Sequence, residues 1–222
     1  MKWLDHLKAD PAGAVAAWQD MRWPWALMAA ASVALVLVAH YVFQEWLYMA
    51  PCEQCVYIRF GFLVAALGGV IAFASPKNIA CKLAGYALGF AGAIYGLKCS
   101  LKLSSIHHAI HSDDPEAMFG MQGCSTEAHY PFDIPLADWA PGWFQPTGDC
   151  GYDLAVVPDG TQLSSLQEWL INLYNSSDSW YLIPPAKFMS MAQCCELAFG
   201  VIALILAVMA ACWIWVRFVR KG

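Results

Sequence analysis

This sequence predicts an all-α integral membrane protein, a four-transmembrane-helix bundle whose long second outer loop contains a short amphipathic helix. Three observations carry that prediction. Of the 222 residues, 59% are hydrophobic and only 13% charged, where soluble domains average about 25% charged residues, and the mean hydropathy is +0.48. Four apolar runs are each long enough to cross about 30 Å of hydrocarbon. The basic residues gather on alternate sides of those runs, with eight of the twelve falling on one side.

Taken in order, residues 1–22 mix Trp3, Leu4, Leu7, Val15 and Trp18 with Lys2, Lys8, Arg22 and three aspartates. This reads equally as a surface-lying amphipathic segment or as a tail without structure. The apolar stretch after it is too long for a cleavable signal peptide, and no cleavage site ends it. The first span covers about 23–43, the second about 56–74, interrupted by Arg59, the third about 83–103 and the fourth about 197–216. Ser75-Pro76-Lys77-Asn78 is a tight turn between the second and third spans. The whole chain, 1–222, is one membrane domain.

Four spans return both termini to one side. Lys2, Lys8, Arg22, Lys77, Lys82, Arg217, Arg220 and Lys221 all lie there, which makes it the cytoplasmic side of a bacterial inner membrane. The loops at about 44–55 and 104–195 then face the periplasm, where disulfides persist. The second loop holds eleven acidic residues and one basic residue, Lys187. Within it, Thr161–Tyr174 has apolar residues at helical spacing, with Ser164 or Ser165 as cap. Such a helix lies on the outer leaflet or packs on the loop itself. A net charge of −5 argues against nucleic-acid binding, which needs a basic face.

Topology sorts the nine cysteines. Cys52 and Cys55 form a Cys-x-x-Cys pair at the mouth of the second span, a spacing that closes an easily opened disulfide. Cys124 and Cys150 share the second periplasmic loop, either as a static staple or as an exchange partner for the first pair. Cys81, Cys99 and Cys212 read as small hydrophobes. Cys194 and Cys195 stand at the outer end of the fourth span; adjacent cysteines rarely pair with each other, so packing is their expected role. Zinc is a rival use of four cysteines, but the long separation between the pairs and the oxidising compartment oppose it. Arg59, four residues beyond Cys55, is a charge inside the membrane and so marks a functional site; the plainer alternative is a snorkelling arginine.

Pro51-Cys52-Glu53-Gln54-Cys55-Val56-Tyr57-Ile58-Arg59 resembles the Cys-x-x-Cys-x-Tyr-x-Arg run of the DsbB family of thiol:quinone oxidoreductases. Ile134-Pro135-Leu136-Ala137-Asp138-Trp139-Ala140-Pro141 leading to Gly148-Asp149-Cys150 is similar to that family's second periplasmic loop, and Phe188–Gln193 to the lead into its last helix. The long stretch after Cys150 and the acidic loop resemble the DsbI branch, whose partner is a basic thioredoxin-fold oxidase of the DsbL type, related to DsbA.

The resemblance implies a relay. A reduced periplasmic oxidase attacks the Cys124–Cys150 disulfide at Cys124, Cys150 attacks Cys52, and Cys55 passes the electrons to ubiquinone or menaquinone. Arg59 would contact the quinone, and so would a histidine near the outer end of the third span, with His107 preferred over His108 and His111. Two other functions remain open on the residues alone: a structural four-helix membrane subunit with static loop disulfides, and a quinone reductase of the vitamin K epoxide reductase type, although such proteins place the active pair in their last helices.

Overall fold

The computed structural model describes residues 8–112 and 123–220. Residues 1–7 of the expected surface segment, and Asp113, Asp114 and Glu116 of the acidic loop, lie outside the described residues.

Among the described residues, four helices are long and apolar enough to cross a membrane. After a short helix α1 (Pro11–Trp18) come α2 (Trp23–Leu37), continued by a π-helical segment (Val38–Trp46), α3 (Glu53–Ala74) and α4 (Ile79–Ile110). Each helix outruns its predicted apolar run, because apolar runs measure the hydrocarbon crossing and a helix continues into polar residues beyond it. At 1.5 Å per residue the 32 residues of α4 span about 48 Å. A consequence at the other end matters more: α3 begins at Glu53, so Cys55 lies in its first turn and not in the preceding loop.

The chain divides into two compact units. The first comprises residues 1–34, 61–94 and 199–222. Here α1 is capped by Asp10, whose carboxylate accepts the Gly13 N–H at 3.1 Å. Trp25, 1% exposed, anchors a core with Ala72, Tyr86, Leu206 and Met209. Its indole donates to the Gln19 carbonyl at 3.0 Å, and the Tyr86 hydroxyl donates to the Gln19 side chain at 3.2 Å. Phe62 and Phe199 stack at 4.0 Å. Lys82 pairs with Asp20, and Arg220 with Asp10. Small residues let α3 and α4 approach: a methyl on Gly92 would fall 2.5 Å from the Gly61 carbonyl oxygen and 2.6 Å from the Ala65 nitrogen.

The second unit comprises residues 35–60 and 95–198. Its loop holds two single-turn helices, α5 (Leu136–Trp139) and α6 (Pro141–Phe144), then α7 (Ser165–Asn175). The expected amphipathic helix is α7. Ser164 is its cap, in a reciprocal capping box with Gln167. Ile171 packs inward with Leu47, Met49, Ala155 and Trp180, while Leu166 and Trp169 face outward. The helix therefore packs on the loop's own core and also keeps an exposed apolar face.

A hairpin not foreseen in the sequence follows: β1 (Tyr181–Ile183) pairs antiparallel with β2 (Phe188–Ser190) across a turn that puts Lys187 in a left-handed conformation. Helix α8 (Met191–Ile214) starts directly after it and ends in a π-helical turn (Trp215–Val219).

Candidate active site: two linked disulfides and a buried arginine

The helix start at Glu53 makes Cys52 the residue that caps α3. Its sulfur accepts the Cys55 N–H at 3.2 Å, the geometry of a side chain capping the third helical residue. A helix N-terminus favours negative charge, so a sulfur placed there is held where a thiolate is favoured. Cys52 and Cys55 are disulfide-bonded, with Cα atoms 5.0 Å apart. They differ in access: Cys52 is 1% exposed, whereas Cys55 is only partly buried.

Cys124 and Cys150 form the second disulfide, with Cα atoms 5.8 Å apart. Cys150 is buried and Cys124 half-buried. The other five cysteines are free thiols, Cys194 and Cys195 included.

The segments bearing the two disulfides are joined by hydrogen bonds on both sides. On the Cys150 side, the Pro51 carbonyl accepts from the Thr147 and Gly148 amides at 2.9 and 3.0 Å. Pro51 directly precedes Cys52, and Gly148 lies two residues before Cys150. Gly148 is required by contact, since a methyl there would fall 2.5 Å from the Ala50 carbonyl oxygen. Beyond Cys150 the chain continues beside the same stretch, with Val156 donating to the Tyr48 carbonyl at 3.0 Å and Met49 bridging Ala155. Gly151, at φ +83°, rests on the turn of α4 that carries His107.

On the Cys124 side, the Glu53 carboxylate accepts the Ser125 N–H at 3.0 Å. One turn along α3, the Tyr57 hydroxyl accepts the His129 N–H at 2.7 Å. Tyr130 then donates to the Phe144 carbonyl at 2.6 Å. Burial, followed by the neighbouring Tyr57, pushes the Tyr130 phenol above its ordinary range, which keeps it a neutral donor.

Arg59, on α3 one turn past Cys55, is 5% exposed. It does not snorkel. Its guanidinium donates to the Gln44 side-chain oxygen at 2.8 Å, the Trp143 carbonyl at 3.1 Å and the Ala39 carbonyl at 3.3 Å. Gln44 in turn donates to the Gly142 carbonyl at 2.8 Å. His40 stacks on Trp143 at 3.7 Å, and its Nδ1 lies 3.3 Å from the same Gln44 oxygen. The π-helical segment supplies His40 and Gln44, and α6 supplies Trp143. Wide turns of this kind recur at functional sites.

His107 belongs to a separate cluster. Its Nε2 lies 3.2 Å from the Ser179 hydroxyl, which donates to Asp153 at 3.4 Å. Its ring stacks on His111 and meets Tyr181 edge-on. Burial pushes the Asp153 carboxyl up to about 6, against the opposing pull of Ser179 and His111. His108 enters none of these contacts.

Sequence reasoning missed Glu53, Gln44, His40 and Trp143. The first two carried a signal, since each is a polar side chain in or beside an apolar run. His40 and Gln44 also stand four apart, on one helical face. Trp143 carried none, because its contact spans 84 residues of sequence.

Four apolar helices with two disulfides on adjoining, mutually bonded segments define a membrane thiol–disulfide oxidoreductase. The family model described as "Disulfide bond formation protein DsbB" matches residues 21–209. "Protein-disulfide oxidoreductase DsbI" of Salmonella typhimurium is 54% identical over 211 residues, 95% of this chain and 93% of its own. The Escherichia coli O6:K15:H31 protein of the same name is 54% identical over 95% of this chain and 94% of its own. A "Putative protein-disulfide oxidoreductase DsbI" of Campylobacter fetus is 56% identical over 214 residues, 96% and 97% of the two chains. The chain belongs to the DsbB family, and it is a multi-pass membrane enzyme that handles protein disulfides.

Proposed function

We propose that this protein reoxidises a periplasmic thioredoxin-fold dithiol oxidase of the DsbA or DsbL type and delivers the electrons to a membrane quinone, ubiquinone or menaquinone. It does so from the bacterial inner membrane, with both termini cytoplasmic. The carrying observation is the pair of clamps, Pro51 to Thr147 and Gly148, and Glu53 to Ser125, which keep the segments of the two disulfides together. A static staple has no need of a second disulfide held beside it.

The exposure of the four sulfurs supports one order of steps. A partner thiolate attacks Cys124, the more accessible member of its pair, and Cys150 leaves as thiolate. Cys150 attacks buried Cys52, breaking the Cys52–Cys55 bond and releasing Cys55 as thiolate. The partner's second thiol then displaces Cys124, leaving the partner oxidised. Freed Cys124 attacks Cys150, restoring Cys124–Cys150 and releasing Cys52, so Cys52 and Cys55 are left as a dithiol holding the two electrons and two protons of the partner. A bound quinone would supply the acceptor for them, and Cys52–Cys55 then re-forms.

The residues around Arg59 suit a quinone, which is a flat ring with two acceptor carbonyls. Arg59 is a donor, and His40, Tyr41 and Trp143 are aromatic faces grouped beside it. His107 would join such a contact only by releasing Ser179.

The test uses purified protein in detergent with a reduced thioredoxin-fold oxidase and a soluble ubiquinone analogue. Quinone reduction is expected, with loss on Cys55→Ser. Cys150→Ser is expected to trap the partner on Cys124. No quinone reduction by the unaltered protein would overturn the reading.

A further inference from the structure

We propose that Glu53 is a positioning residue for the internal disulfide exchange: its carboxylate holds the Cys124 segment against the Cys52–Cys55 pair through the Ser125 N–H. The proposal rests on the relay described above.

Glu53 lies between the two cysteines of the first pair and is 9% exposed. A carboxylate is costly to bury unless hydrogen-bonded, and this one accepts a backbone amide at 3.0 Å. That amide belongs to Ser125, the residue after Cys124. Glu53 and Tyr57 stand four apart on one face of α3, and they hold Ser125 and His129, also four apart. Tyr57 lies against the same carboxylate.

The exchange needs this clamp. When the partner opens Cys124–Cys150, the covalent tie between residues 124 and 150 is gone. The Cys150 side stays bound through Pro51. The Cys124 side, now carrying the partner, keeps its place on α3 through the Glu53 and Tyr57 hydrogen bonds, with Tyr130 packed on Tyr57 and Phe60 further along; the Glu53 bond is the one nearest to Cys124 in sequence. Cys150 then attacks Cys52: one S–S bond breaks, Cys52–Cys55, and one forms, Cys52–Cys150. No electrons are gained or lost in that exchange. Its rate depends on the effective concentration of one sulfur at the other. Glu53 acts as a hydrogen-bond acceptor, and an amide can retain that function.

The experiment compares Glu53→Ala and Glu53→Gln with the unaltered protein in two assays of quinone reduction. One is driven by a reduced thioredoxin-fold oxidase. The other is driven by dithiothreitol in a background lacking Cys124 and Cys150, where only the first pair is reduced. Glu53→Ala is expected to lower the partner-driven maximal rate roughly tenfold or more, as loss of one charge-assisted hydrogen bond does. It should leave the dithiothreitol-driven rate of the background within about twofold. Glu53→Gln should recover most of the partner-driven rate. An unchanged partner-driven rate in Glu53→Ala, an equal loss in both assays, or a Glu53→Gln as slow as Glu53→Ala would overturn the proposal. Absence of quinone reduction in the unaltered protein would instead overturn the relay itself.

Discussion

The Arg59 guanidinium and the Gln44 side-chain oxygen meet at 2.8 Å, fifteen residues apart in sequence. The contact ties α3 to the π-helical end of the first span. Gln44 passes the tie on to Gly142, and Arg59 to Trp143, so the short α6 of the loop is held by the same pair. The arginine one turn past the Cys52–Cys55 disulfide thus also fastens the loop that carries the second disulfide.

Removing either partner should therefore loosen the loop as well as affect the chemistry. Gln44→Ala leaves a buried guanidinium without its shortest bond, a loss of about 1.5–3 kcal/mol for a hydrogen bond to a charged group. Arg59→Lys gives up the planar fork that reaches Gln44 and Ala39 together. Both variants should show faster protease cleavage between residues 131 and 149. The double variant should cost less than the sum of the singles. Additive losses in a double-mutant cycle would disprove the coupling.

The two cysteines of the first pair should react at different rates once reduced. Cys52 is 1% exposed and Cys55 partly open. Alkylation by a small maleimide, followed by mass mapping, should label Cys55 well ahead of Cys52. Labelling at equal rates would remove the structural basis for giving them separate tasks.

Much of this was legible in the sequence because the membrane imposes simple rules. Four spans follow from apolar length. The pairing of Cys52 with Cys55 follows from spacing. What was not legible depends on contacts across long separations. Glu53 reads as one more acid until Ser125, 72 residues on, is seen to donate to it. Arg59 reads as a snorkelling residue or a quinone ligand, and only contacts 15, 84 and 20 residues away in sequence, to Gln44, Trp143 and Ala39, show it buried and not snorkelling. The β1–β2 hairpin escaped notice because each strand has only three residues, too few for alternation to register.

The acidic loop should steer a basic partner. Eleven acidic residues against one basic residue raise the encounter rate through long-range attraction, which salt screens over about 10 Å at 0.1 M. The partner-driven kcat/KM should fall as ionic strength rises from about 0.02 to about 0.5 M, a range that brackets that screening length. The dithiothreitol-driven rate should not fall with salt, because its reacting thiolate is an anion that the acidic loop does not attract. A kcat/KM independent of salt with a basic partner would exclude steering.

Asp153 should make the loop's stability depend on pH in a direction opposite to most carboxylates. Burial raises its folded pKa to about 6, against about 3.9 in the unfolded chain. The folded state then holds the proton more tightly. The stabilisation is complete below the unfolded value and is lost as pH rises through the folded one, so the window runs from about 4 to about 6. A shift of about two units corresponds to a cost on the order of 3 kcal/mol at neutral pH. Asp153→Asn keeps a hydrogen-bonding partner for Ser179 without the buried charge. It should raise the thermal midpoint at pH 7 and flatten the dependence between about pH 4 and about pH 6, measured by protease resistance of the loop on heating. If Asp153→Asn instead lowers the midpoint at pH 7, the ionised carboxylate is a net stabiliser of the Ser179–His107 cluster and the pH dependence runs the other way.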